Sequence, residues 1–111
     1  MHGSADSFVP FASFPRTLDA WATRNGCSLV TEPARSPASA GDTTCVTYVG
    51  CPAGVEVTGC SVAEGGHCWF GSESCGTGAP LIGNLVVGNN SDTLDANDAA
   101  WAFLSRFSRP R

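Results

Sequence analysis

The chain has 111 residues, the size of one domain, with 42% hydrophobic residues and a net charge of −4. All six basic residues are Arg, no basic run occurs, and no apolar stretch approaches the ~20 residues of a membrane span. Disorder is therefore not the default reading, and a nucleic-acid partner, a membrane-spanning helix, a coiled coil and a collagen repeat are excluded.

Only 14% of residues are charged, and the 13 Gly and 7 Pro predict a loop-rich chain. Six Cys, an even number, fit a disulfide-bonded protein of an oxidising compartment, hence an extracellular one. The opening Met1-His2-Gly3-Ser4-Ala5-Asp6-Ser7 has neither the basic segment nor the apolar run of a signal peptide. The expectation is a secreted protein whose leader lies in a preceding region absent from this chain.

Residues 1–12 read as a glycine turn followed by Phe8-Val9-Pro10-Phe11, where Pro10 forbids a central strand. A helix is predicted from about Pro15 to Arg24. Pro15 suits a first helical position, Leu18, Trp21 and Ala22 share one face, and Asn25-Gly26 supplies the left-handed stop. Residues 31–44, with Pro33, Pro37 and Gly41, read as a surface loop. Two strand-like runs follow, Cys45–Val49 and Val55–Thr58, the second extending to Val62. Pairing them around Pro52-Ala53 sets a register of i + j = 105, which places Cys45 opposite Cys60, within reach of a cross-strand disulfide. Residues 70–91, rich in Gly, Ser and Asn, form a candidate binding or lid loop and include the glycosylation sequon Asn89-Asn90-Ser91. A final helix is predicted from Asp92 or Asp95 to Phe107. Its buried stripe is Ala100, Trp101, Leu104 and Phe107, and Asp92, Asp95 and Asp98 gather at its positive end. Trp21 and Trp101 are expected in the core.

Six cysteines admit many connectivities. Beyond Cys45–Cys60, pairing Cys68 with Cys75 closes a short loop beside His67 and leaves Cys27 with Cys51 to tie the first helix to the hairpin. No C-x-x-C pair exists, so no zinc site is expected, nor any other metal or cofactor.

Two residues are candidates for chemistry. His67, in Gly65-Gly66-His67-Cys68-Trp69, follows a strand through a glycine turn that would leave its imidazole exposed, the placement a general base needs. Asp6 follows the turn at Gly3 and is suited to orient an imidazole by accepting its Nδ1–H. An incidental loop histidine and an Asx-turn aspartate are the plainer readings of each residue taken alone.

The segments His2-Gly3-Ser4-Ala5-Asp6-Ser7-Phe8-Val9-Pro10-Phe11, Leu18 to Cys27, Gly65-Gly66-His67-Cys68-Trp69 and Asp95 to Phe103 resemble, in order, the C-terminal third of secreted α/β-hydrolase esterases. The group they are most similar to is the feruloyl esterase and polyhydroxybutyrate depolymerase-like family. The resemblance implies an α/β fold in which residues 1–111 are a single C-terminal portion of the hydrolase sheet, incomplete as a fold: its last strand–helix units with a disulfide-linked hairpin. It implies Asp6 as triad acid and His67 as triad base, in the chain order Ser, Asp, His. It also implies esters of plant cell-wall or polyester type as substrates, and the N-terminal part of the same enzyme as partner.

The family's nucleophile sits in a G-x-S-x-G elbow upstream of the aspartate, and no such string occurs here. The nearest, Ser72-Glu73-Ser74-Cys75-Gly76, lacks the first Gly and a strand before it, so Ser74 is not expected to act as a nucleophile. Phe70 stands where the family usually has Pro. The chain alone is expected to be inactive. Trp69, next to the histidine, is a candidate to line a substrate pocket. The competing reading is a small disulfide-stabilised secreted binding module, for carbohydrate, using Trp69 and the 70–91 loop.

Overall fold

The β-branched run from Thr43 forms strand β3 (Thr43–Tyr48), which pairs antiparallel with β4 (Thr58–Val62). Their register runs from Thr43↔Val62 to Thr47↔Thr58, so paired numbers sum to 105 and Cys45 faces Cys60. The structure, a computed structural model, describes residues 1–73, 75 and 88–108. Around the hairpin stand β1 (His2–Gly3), α1 (Ser13–Arg24), β2 (Thr31–Pro33) and α2 (Ala96–Leu104). The four strands make one mixed sheet in the order β1-β4-β3-β2, with β1 parallel to β4 and the other pairs antiparallel. No helix among the described residues is long and apolar enough to cross a membrane.

Several boundaries differ from expectation, among them β3, which runs Thr43–Tyr48 rather than Cys45–Val49, and α2, which ends at Leu104 rather than Phe107. The second hairpin strand begins at Thr58, not Val55. Beyond the Tyr48 N–H bond to the Val57 carbonyl, Val49 turns instead to residues 28–30, where its N–H donates to Val30 O and its carbonyl accepts from Ser28 N. Residues 31–44 are not simply a loop. Thr31–Pro33 adds β2 to the outer edge of β3, a position where Pro33 is tolerated because an edge residue need not donate to a further strand. The first helix starts at Ser13, two residues before Pro15, because the N–H groups of a helix's first turn have no intrahelical acceptor for proline to forfeit. It ends as expected: Gly26 is left-handed at φ 75°, and the Asn25 N–H and side-chain amide both donate to Trp21 O.

Alternation along the hairpin divides the core between two faces of the sheet. On one face Cys45, Cys60 and Val62 pack with Phe70, Leu94 and the alanines Ala96 and Ala99 of α2. On the other, Tyr48 and Val57 pack with Ala22, Leu18, Cys27 and Cys51. Gly59 lets the Leu18 side chain of α1 lie directly on β4, where a Cβ would push it aside. Three disulfides tie these layers: Cys45–Cys60 across the hairpin at a Cα separation of 4.1 Å, Cys27–Cys51 from the end of α1 to the hairpin loop, and Cys68–Cys75 beyond β4. Tyr48 adds a link, donating its hydroxyl to Asp19 Oδ1 at 2.6 Å.

The expected buried stripes are corrected. Trp101 is 73% exposed, and Leu104 and Phe107 are also exposed, while Ala96 and Ala99 face the core. The helix is anchored at its start, where the Asp95 side chain caps Asn97 and Asp98 and the Ala96 N–H donates to Phe70 O. That anchoring lays the small alanines against the sheet and turns the large apolar residues outward. Trp21 is likewise 52% exposed, beneath the Arg24 guanidinium, while Ala22 occupies the core.

Candidate active site

Asp6 and His67 lie 61 residues apart in sequence and meet because β1 and β4 are parallel neighbours. Asp6 follows the end of β1 and His67 the end of β4, so both stand beyond the carboxyl ends of adjacent parallel strands, where open α/β sheets place their sites. The two strand exits touch. Ser4 N and Ala5 N donate to Val62 O and Gly65 O, each at 2.9 Å, and Glu64 N donates to Ser4 Oγ at 2.8 Å. This lacing needs glycine, because a Cβ on Gly3 would overlap the Gly65 carbonyl oxygen.

The Asp6 side chain is 5% exposed and fully engaged. Its Oδ1 accepts the N–H groups of Phe8 and Val9, each at 2.9 Å, and its Oδ2 accepts from His67 Nδ1 at 2.9 Å. Burial pushes this carboxyl up, but the bonds from Val9, His67 and Phe8 and the attraction of His67 outweigh it and hold the group below the usual carboxylate range. A carboxylate only accepts, so Nδ1 of His67 carries the hydrogen and Nε2 keeps its lone pair. The His67 side chain is 54% exposed, and among the described residues none hydrogen-bonds to its Nε2. The pair therefore presents a basic nitrogen to solvent with its partner nitrogen fixed by a buried anion, as base and orienter stand in a nucleophile-activating triad.

The loop carrying His67 is held from several sides. Glu64 adopts φ 55° in the turn leaving β4, and Gly66 N donates to Asn89 O at 3.0 Å. Phe70 is buried and anchors the loop after Trp69. Asn90 accepts from Gly71 N and donates to Ser72 O and Cys75 O, and the Cys68–Cys75 disulfide closes the same turn. Trp69 is 56% exposed, with its indole N–H directed to Asn97 Oδ1 at 3.2 Å. The Phe8 ring lies 5.3 Å from the imidazole. An open cleft of about 380 Å³ runs past His2, Gly3, Asp6, His67, Cys68 and Trp69.

The structure thus brings together all three side chains singled out in the sequence, Asp6, His67 and Trp69, on one cleft. Ser74, within the string nearest to a nucleophile elbow, and residues 76–87 of the 70–91 loop lie outside the described residues. Sequence reasoning missed the supports: the Gly3–Gly65 contact, Asn90 as clasp of the 68–75 loop, and Asn97 as partner of Trp69. Asn90 is the middle residue of the sequon Asn89-Asn90-Ser91, a pattern that says nothing of this clasp. Comparison of the chain with protein-family models, curated proteins and solved structures finds no match to any of them.

Proposed function

We propose that this chain supplies the acid and base of a serine esterase, with the nucleophilic serine contributed by a preceding part of the same enzyme. The observation carrying this reading is the 2.9 Å Asp6 Oδ2–His67 Nδ1 bond, which leaves Nε2 exposed on a cleft. In the proposed reaction Nε2 takes the serine hydroxyl proton as the oxygen attacks the ester carbonyl, then returns it to the leaving alcohol. Asp6 keeps the imidazole in the Nδ1–H tautomer and stabilises the imidazolium formed on the way. Backbone donors near the serine would bind the oxyanion. The resemblance noted in the sequence points to an enzyme of the feruloyl esterase and polyhydroxybutyrate depolymerase kind, secreted, acting on aryl or polyester substrates.

The outward apolar residues support the view that residues 1–111 belong to a larger fold. Trp21, Phe103 and Leu104 border two clefts that meet at Thr58 and Phe103. The second of these, lined by Ala99, Ala100, Phe103 and Leu104, is mostly apolar and suits coverage by further chain. The three disulfides fit an extracellular location for such an enzyme.

The test is hydrolysis of a p-nitrophenyl ester by the product of the complete reading frame, beside residues 1–111 alone. The longer protein should turn over the ester and lose about 10⁵–10⁶-fold in kcat on His67→Ala, while the shorter chain stays at the background rate. Enzyme-like hydrolysis by residues 1–111, or a longer protein indifferent to His67→Ala, would refute the proposal.

A second reading, a carbohydrate-binding module, is favoured by one observation: Trp69 is exposed and its indole is oriented by Asn97, as a stacking platform would be. It predicts saturable oligosaccharide binding that persists in His67→Ala and fails in Trp69→Ala.

A further inference from the structure

The second histidine of the chain stands at the same carboxylate. His2 Nε2 lies 3.0 Å from Val9 O and 3.5 Å from Asp6 Oδ2, the oxygen that receives His67. A carbonyl accepts only, so Nε2 of His2 carries the hydrogen, directed at Val9 O, with Asp6 Oδ2 close by but not hydrogen-bonded to it. The ring is held there. Its side chain is 13% exposed, and the rings of Phe11 and Phe14 lie 5.7 and 5.4 Å from it.

We infer that His2 is a positioning residue for the Asp6–His67 pair. It rests on the proposed role of that pair and adds how the acid is aimed. Val9 contributes both its groups to this turn: its N–H holds Asp6 Oδ1, and its carbonyl is held by His2. Since His2 belongs to β1, it pins the far end of the 6–9 turn back to the sheet. The carboxylate is then fixed between two backbone N–H groups on Oδ1 and the His67 imidazole on Oδ2, and cannot rotate Oδ2 away from His67 without breaking its bond to the Val9 peptide that His2 holds. The longer approach of His2 leaves the short bond to His67.

Nitrogen NMR of the imidazoles in the 111-residue chain, at a pH where they are neutral, tests this. In the wild type, His2 should be protonated at Nε2 and His67 at Nδ1. His2→Phe, which keeps an aromatic ring but removes the donor, should lower the Nδ1–H to Nε2–H ratio of His67 about three- to tenfold. His2→Gln, whose amide reaches the Nε2 position, should restore most of that ratio. Amide protection across the β3–β4 hairpin serves as the folding control, and the wild-type tautomer of His2 can overturn the inference even where a variant unfolds. A wild-type His2 protonated at Nδ1, or a His67 ratio unchanged in folded His2→Phe, overturns the inference, as does a ratio that His2→Gln fails to restore. Asp6→Asn in the same experiment separates the two proposals. If it shifts the His67 tautomer and His2→Phe does not, His2 has no positioning role. If both shift it but the complete protein hydrolyses no ester, the esterase reading fails and the positioning role stands.

Discussion

The backbone of Gly3 rests on the carbonyl group of Gly65 with no room for a side chain between them. Through this contact two strand exits converge and Asp6 reaches His67. Gly3→Ala should therefore cost about 1–3 kcal/mol of stability, as other overpacked sites do, and separate the pair. Urea unfolding checks the first effect, and loss of the Nδ1–H tautomer preference of His67 checks the second.

Asp6→Asn is nearly isosteric but removes the anion that accepts three donors. One amide oxygen and one NH₂ group do not serve all three, so a loss of about 1–3 kcal/mol is expected on urea unfolding. On the proposed esterase reading, kcat of the complete protein should fall about 10⁴-fold with little change in KM, because the imidazole would lose the tautomer in which it acts as base.

Acid should loosen the chain chiefly through a group outside the Asp6–His67 pair. Asp42 is held at about 2, because the bonds from Thr93, Ser91, the Asp92 N–H and Thr43 outweigh the burial that pushes it up. A folded value below the unfolded 3.8 means that this stabilisation is complete above about pH 4 and disappears as pH falls through 2. Asp6, also lowered, acts with the same sign. The urea midpoint should fall between about pH 4 and pH 2, and Asp42→Asn should flatten that fall while lowering stability at pH 7. The bonds of Asp42 join the start of β3 to residues 91–93, so the 91–93 amides should lose exchange protection first.

Trp101 and Leu104 face outward on α2. Trp101→Gln and Leu104→Gln should change stability by no more than about 0.5 kcal/mol and lower the binding of a hydrophobic dye. A core position would instead lose about 2–5 kcal/mol. Urea titration with dye fluorescence distinguishes the two.

The hairpin was legible because β-branched runs flank a Gly-Cys-Pro-Ala-Gly turn and a one-residue slip would have exposed the cysteines. The stop of α1 was legible for a local reason, the Asn25-Gly26 pair. The orientation of α2 was not. Periodicity assigns the largest apolar residues to the core, whereas here the helix seats on Ala96 and Ala99. Strand β2 was hidden by Pro33, which speaks against a central strand but permits an edge. At the site, Asp6 and His67 were visible as residue types after glycine turns. Their meeting depends on the parallel β1–β4 pairing, a non-local contact that no pattern within either segment records. His2, Asn90 and Asn97 act through tertiary hydrogen bonds and leave no periodic trace.

The central claim is that His67, aimed by Asp6, activates a serine outside residues 1–111. Labelling the product of the complete reading frame with a fluorophosphonate, and locating the label by mass spectrometry, tests that most directly. The account predicts one labelled serine, within a G-x-S-x-G sequence preceding Asp6, and loss of labelling in His67→Ala. No labelled serine, or labelling that His67→Ala leaves unchanged, would contradict it.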